Sequence, residues 1–302
     1  MPTPKNDLLD NGLIARLNRL TLSARQPMLG GVSGLHRSAA RGSSVEFAEY
    51  RKYAAGDDIK NLDWHVYART DRFYIKEFEA DTNLRCHLVL DTTGSMAFAH
   101  EHGTRFDFAR RMAATLAYML VRQGDAAGLH LAGPDAKDLP ARRNPSHLQN
   151  LFEILRQAKP AGPSDLVARL HELAEKIRGR AMVMVFSDLF CPVEPLLDAF
   201  QHLRFKKHDL AVFHLLDGQE IDFQFDRPIR FVDLEGGDDL IADPSMIRDE
   251  YRSVVDHYLA ALKRGCRQNG VDYHPIVTRA DVEKVLSAFM LSRLNRKTGG
   301  RK

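Results

Sequence analysis

Five oxygen-bearing side chains stand where a fold could gather them around one cation. Asp91, Thr93 and Ser95 lie in the run DTTGS, directly after the apolar run LRCHLVL. An acid followed by hydroxyls at these spacings puts three oxygens around one tight loop. Ser164 follows Gly162-Pro163 and opens a helical pattern, and Asp188 closes the apolar run AMVMVFS. Oxygen-only ligation suits hard cations, and one or two carboxylates completed by water is the usual style of magnesium. Mg2+ or Mn2+ is therefore the expected cofactor. Each piece also has a plainer reading, because Asp and Ser after a strand commonly cap the next helix. Ser164-Asp165 before an apolar helix is especially cap-like. Three such loops in this order favour the cation.

The elements that must carry these loops alternate. Short apolar runs at 84–91, 126–133, 181–188, 209–216 and 271–277 read as strands. Amphipathic patterns at 105–123, 146–158, 164–178, 192–205, 245–269 and 280–295 read as helices; Phe108, Met112, Leu116 and Met119 recur about one turn apart. Apolar strands separated by amphipathic helices predict a Rossmann-like α/β fold with a mostly parallel central sheet covered on both faces. In such sheets ligands bind beyond the carboxyl ends of the strands. Residues 217–244 interrupt the alternation with turn residues and two short alternating runs, which suggests an inserted hairpin. Residues 1–30 read as a polar leader with a short helix near Leu8–Leu20. Residues 31–83 read as an extension of loops and short elements leaning on another core, with one strand near Phe73–Phe78. Residues 84–295 form the main domain and 296–302 a basic tail; the basic closing stretch from Arg293 onward reads as solvated.

Other chemistries find little support. No GxxxxGK[ST] phosphate loop is present, no GxSxG elbow and no HExxH. The run GGVSG at 30–34 lacks a strand-to-helix context, and His100-Glu101-His102 reads as a polar loop beside the candidate site. Lys and Arg number 43 against 40 Asp and Glu, a net charge of +3, which argues for neither a nucleic-acid nor a membrane partner. Three well-separated cysteines, Cys86, Cys191 and Cys266, form no CxxC pair and fit a reducing compartment. The longest apolar run, Met112–Val121, is far short of the roughly 18 residues of a membrane span. With no signal-peptide core at the N-terminus, the expectation is a cytoplasmic protein without membrane insertion.

Asp91, Thr93 and Ser95 match the DxSxS motif of the metal-ion-dependent adhesion site of von Willebrand factor A-type (VWA) domains, with Thr in place of the first Ser. Ser164 falls where that family has a Thr, and Asp188 matches its second-loop Asp. Upstream, RGSSVEFAEYR (Arg41–Arg51), GDD (Gly56–Asp58), DW (Asp63-Trp64), ART (Ala68–Thr70) and KEFE (Lys76–Glu79) closely resemble the signature of domain-of-unknown-function family fifty-eight. FVDLEGGDDLIADPSMIRDEY (Phe231–Tyr251) resembles the same family. The resemblance implies a VWA-like domain bearing this extension, association with MoxR-type AAA+ ATPases, and assistance to the assembly or activation of a client protein. It points to a binding adaptor and not an enzyme. The alternatives are a metal-dependent hydrolase using the same site, with Asp188 or Asp165 as base, and a purely structural fold.

The extension allows two readings. Arg41, Glu46, Arg51, Asp57, Asp58, Asp63 and Arg69 supply balanced charge beside Trp64 and several tyrosines. Such a set can build an ion-pair network holding an irregular segment to a core. It can equally make a contact surface, since Trp, Tyr and Arg are enriched at binding hot spots. On the first reading Trp64 is buried, with Asp57, Asp58 and Asp63 paired to arginines.

Overall fold

The computed structural model describes residues 8–17, 20–22, 33–38, 45–53, 64–82, 84–100, 103–225, 227–237 and 239–298. The chain divides into two compact units, Met1–Arg25 with Arg85–Lys302, and Gln26–Leu84.

In chain order the described elements begin with α1 (Asn11–Leu17) of the larger unit. The smaller unit follows with β1 (Ser33–Ser38), β2 (Val45–Lys52), α2 (Trp64–Thr70) and β3 (Tyr74–Thr82). Its strands form an antiparallel sheet in the order β1-β3-β2. The sequence reading placed loops over most of this region. A register shift between Phe47 and Glu49 explains the difference, because a bulge breaks the period-2 alternation by which a strand is recognised.

The larger unit continues with β4 (Arg85–Asp91), the two-residue strands β5 (Ala99–His100) and β6 (Gly103–Thr104), α3 (Arg105–Arg122), β7 (Ala126–Ala132) and β8 (Asp138–Arg142). Then come α4 (Pro145–Gln157), α5 (Leu166–Lys176), β9 (Met182–Ser187), α6 (Val193–Phe205) and β10 (Asp209–Leu216). The inserted segment holds α7 (Gly218–Asp222) and a hairpin of β11 (Ile229–Phe231) and β12 (Leu240–Ala242). The chain closes with α8 (Pro244–Gln268), β13 (Asp272–Val277) and α9 (Val282–Thr298).

The central sheet has the order β13-β10-β9-β4-β7-β8. It is parallel throughout except for the edge strand β8, which runs antiparallel to β7. Sequence periodicity missed β8 because its residues lie at an exposed edge and include Pro140, a residue tolerated in sheets only at such edges. Gly128 shows why that edge can form: a Cβ there would stand 2.8 Å from the Ala141 nitrogen, so only glycine lets β8 approach.

Alternation along the strands feeds two cores. Val183 and Val185 face one side, where they join Leu170 and Leu173 of α5, Phe200 of α6 and Leu262 of α8. Phe186 and Phe213 stack at 4.8 Å on the other side, and Phe289 of α9 meets Phe213 edge-on at 4.9 Å. The architecture is thus an α/β sheet with helices on both faces. Residues near the N-terminus belong to it: Leu13, Ile14 and Leu17 of α1 are buried, and Arg16 pairs with Glu283 of α9 at 2.6 Å.

Arg293 departs from its expected place in a solvated tail. It is fully buried on α9 and reaches Asp209 at 2.7 Å and Asp272 at 3.4 Å. Removing one member of a buried ionic cluster leaves charge without compensation, at a cost of about 3–5 kcal/mol. Arg293→Ala is expected to lower the urea-unfolding free energy by that much; a loss under about 1 kcal/mol would show that the cluster does not hold α9.

Buried histidines give the fold an acid-sensitive side. His208 is fully buried with neither ring nitrogen hydrogen-bonded, and burial together with the Lys206 and Arg204 charges pulls its pKa down to about 4. Burial does the same to His214, to about 4, and, with His130 beside it, to His87, to about 3. In the unfolded chain these rings titrate near 6.5. Below that pH the unfolded chain takes up protons that the folded chain refuses. Stability is therefore full above about pH 6.5 and is lost as pH falls toward 4. Urea titrations across this window should show the decline, and His208→Leu should flatten part of it. An unchanged slope in that variant would clear His208 of the effect.

Candidate cation site

Strand order decides where a site can form. From β4 the chain crosses to β7 on one side, and from β9 it crosses to β10 on the other. The switch point lies between β4 and β9, and the crevice of an open α/β sheet opens there, beyond the strand ends. Asp91 ends β4, and Ser187 ends β9 with Asp188 directly after it.

The loop after β4 is tightly wound. Asp91 Oδ1 accepts a hydrogen bond from the Thr93 amide at 2.9 Å, and the Thr93 and Ser95 hydroxyls are hydrogen-bonded at 3.0 Å. Ser187 donates its hydroxyl to Asp91 Oδ2 and accepts from the Leu189 amide at 2.8 Å. The loop before α5 joins them: the Gly94 amide donates to the Gly162 carbonyl at 2.8 Å, and the Ala161 amide to the Thr92 carbonyl at 3.1 Å. Ser164 lies two residues beyond Gly162, half-buried. It is not the helix cap. Asp165 caps α5 by accepting from the Ala168 amide at 2.8 Å, so the plainer reading of Ser164 falls to its neighbour.

Asp188 is held differently. Its Oδ2 accepts from Arg105 at 2.7 Å, and both side chains are about 95% buried. Arg105 also pairs with Glu220 of α7. Arg105 opens α3, where a positive charge opposes the helix dipole; the two acids offset that cost. The sequence reading passed over Arg105, and a buried Arg in a helix's first turn has no periodic signal. Leu189, next after Asp188, holds φ 53° in the left-handed region, where non-glycine residues are strained. The Tyr258 hydroxyl of α8 donates to the carbonyls of Leu189 and Cys191 and secures that turn. Beside Asp188 a groove of about 460 Å³ runs between Phe190, Leu216, Ile221 and Val254.

The electrostatics fit a hard cation. Burial, then the Asp188 charge, push the Asp91 pKa up to about 7, against the hydrogen bonds from Ser187 and Thr93. Two carboxylates near one buried loop oppose each other's ionisation, and a divalent ion would reverse that opposition. Among the described residues no cluster of three or more His, Cys, Asp or Glu could hold a metal. The donors here are two carboxylates and three hydroxyls, a magnesium-like set and not a zinc-like one.

The inserted hairpin touches the same loop. Glu235 Oε1 accepts from the Ser95 amide at 3.4 Å. At Gly94 a Cβ would stand 2.2 Å from the Leu234 carbonyl oxygen, so glycine is required for the hairpin tip to rest on the loop. Nothing in the spacing of FVDLEGG signalled this contact.

Of the residues expected in the extension, Arg41, Asp57, Asp58 and Asp63 lie outside the described residues. Glu46 and Arg51 stand on β2, and Arg69 is exposed on α2. Trp64 corrects the expectation of burial: 58% of it is exposed. It meets Tyr67 edge-on at 6.2 Å, and Tyr67 stacks on Phe73 at 4.4 Å. His100 lies on β5, while Glu101 and His102 lie outside the described residues. All three cysteines are free.

The family described as "Protein of unknown function DUF58" matches residues 49–258, and the chain belongs to it. The uncharacterized proteins Mb1516 of Mycobacterium bovis and Rv1480 of Mycobacterium tuberculosis are each 26% identical to it over 297 residues, covering 96% of this chain and 92% of theirs. The uncharacterized protein YeaD of Bacillus subtilis is 28% identical over 125 residues, 41% of this chain and 29% of its own. Among solved structures, an aerotolerance-related membrane protein from Bacteroides fragilis aligns with 71% of this chain and all of its own, at 14% identity and a TM-score of 0.47. The SpRpn10 VWA domain aligns with 68% of this chain and 94% of its own, at 11% identity and a TM-score of 0.41. Neither reaches a TM-score of 0.5, and the fold assignment rests on the strand order and register above. Among the described residues no helix is long and apolar enough to cross a membrane.

The exposed Trp64 is the chain's one tryptophan, so its fluorescence is a clean reporter. Emission is expected to be red-shifted and open to iodide quenching, and Trp64→Ala should change stability by no more than about 0.5 kcal/mol. A blue-shifted, quencher-resistant emission would restore the buried reading.

Proposed function

We propose that this chain is a cation-dependent protein-binding adaptor, acting in the cytoplasm with a MoxR-type AAA+ ATPase on a client protein, and that it is not itself an enzyme. The observation that carries the reading is the meeting of the Asp91–Ser95 loop with Ser187-Asp188 and the Gly162–Ser164 loop at the sheet's switch point. Asp91, Thr93, Ser95, Ser164 and Asp188 would hold Mg2+ or Mn2+. The ion would supply a Lewis-acidic point to which a partner's carboxylate can bind. Ser187 orients Asp91, and Arg105 orients Asp188. The ATPase partnership rests on the family resemblance alone, and the exposed aromatic cluster of Trp64, Tyr67 and Phe73 is a second surface available for contact. The two bases that the hydrolase alternative would use are both engaged, Asp188 by Arg105 and Asp165 as the cap of α5.

Calorimetry of the full chain with Mg2+ and Mn2+ tests the site. Asp91→Ala should abolish binding and Asp188→Asn should weaken it strongly. Ser164→Ala should weaken it less, since a hydroxyl contributes less than a charge to a hard cation. Equal binding by wild type and Asp91→Ala would remove the assignment.

A further inference from the structure

We propose that the groove between the turn after β9 and helix α8 is a docking site for a basic, amphipathic segment of a partner protein, whose apolar side chains cover Phe190 and Val254 and whose Lys or Arg enters toward Glu220. The inference goes beyond the cation reading and does not depend on it, because protein side chains alone form the groove.

The first support is shape. The groove holds about 460 Å³, with Phe190, Leu216, Ile221 and Val254 among its walls; binding pockets commonly run from about 300 to 1,000 Å³ and are mostly apolar. Phe190 is 86% exposed and Val254 63%. Single exposed apolar residues are ordinary, but two that line one apolar groove make a patch of the kind that marks interaction sites. Phe190 is also held in place from its backbone. Its amide donates to Asp188 Oδ1 at 3.3 Å, the Cys191 amide donates to the Leu189 carbonyl at 2.7 Å, and the Tyr258 hydroxyl holds the carbonyls on either side. An aromatic side chain on a backbone already fixed costs less ordering when a partner covers it.

The second support is charge. The charged side chains lining the groove are Arg105, Asp188 and Glu220, one guanidinium against two carboxylates. Arg105 and Asp188 are buried and spent on each other. Glu220 is the open acid, with its side chain 32% exposed. Its oxygens accept from Arg105 and from the Asp217 amide, and a carboxylate has lone pairs for a further donor. Excess negative charge among apolar walls selects a cation, and Lys and Arg carry a long aliphatic stem that can lie along such walls while the charge reaches an acid. The Tyr251 ring, fixed by stacking on Phe223 at 4.1 Å, lines the same groove and offers a face to that cation. An acidic segment would meet like charge at the same place and be rejected.

The test uses the full chain in EDTA, so that its outcome leaves the cation reading untouched. The probes are two fluorescent amphipathic peptides of about fifteen residues, long enough to form a helix, with the same leucines and with Lys at every polar position of one and Glu at every polar position of the other. Binding is followed by anisotropy. The Lys peptide is expected to bind at least about tenfold more tightly than the Glu peptide. Phe190→Ala and Val254→Arg should each weaken the Lys peptide about tenfold. Both positions are exposed, and circular dichroism checks that the variants fold. Equal binding of the two peptides overturns the charge selection, and no binding of the Lys peptide overturns the site. A Lys peptide that binds both variants as it binds wild type also overturns the proposal, because its attraction then lies elsewhere on the surface.

Discussion

The burial of two acids, Asp91 and Asp188, at the ends of adjacent strands is the constraint on which the candidate site depends. Both acids sit at the ends of buried strands, where an anion is costly unless something positive or hydrogen-bonding answers it. Asp91 is answered by hydrogen bonds from Ser187 and Thr93, while Asp188 also receives a guanidinium. The division is uneven, and it leaves Asp91 as the acid that a cation would serve best. The remaining architecture follows from keeping these groups in place. Strands β4 and β9 must be adjacent and parallel, α3 must bring Arg105 to the crevice, and Leu189 must hold a strained turn under the hydroxyl of Tyr258.

Much of this frame was legible from residue order. The buried parallel strands announce themselves as unbroken apolar runs, since both faces are covered; β10 spans the residues of DLAVFHLL. The helices show their turn-by-turn spacing, as in α3. Elements exposed on one face, or irregular, did not show. Strand β8 carries a proline at an edge, and β2 carries a bulge, so neither keeps a readable period. The site divides along the same line. Motif residues within one loop, Asp91, Thr93 and Ser95, could be read together because they are local. Arg105 and Glu235 act across 83 and 140 residues of chain respectively, and no local pattern records a partner that distant. Ser164 and Trp64 show the converse. Composition suggested a cap and a core residue, whereas Asp165 does the capping and Trp64 stands in solvent.

The smaller unit poses a separate physical problem. A three-stranded sheet with a seven-residue helix can bury little apolar surface of its own, and its described aromatic residues gather at the accessible α2–β3 junction. Stacked and edge-on rings are well suited to presenting large, stiff contact area, because few rotamers are lost when they are covered. The start of the family match, from residue 49, thus falls in a segment where Trp64 and Phe73 are exposed.

Helix α8 has a mechanical consequence. Its 25 residues begin immediately after β12 of the hairpin, where Asp243 caps the helix, and the rod extends about 37 Å at the rise of an α-helix. Partway along it, Tyr258 is tied to the turn that follows Asp188. The covering tip over Ser95 and the strained turn beside Asp188 are therefore coupled to one stiff body. A tilt of that rod large enough to lift the hairpin would also pull on Leu189 through the tyrosine.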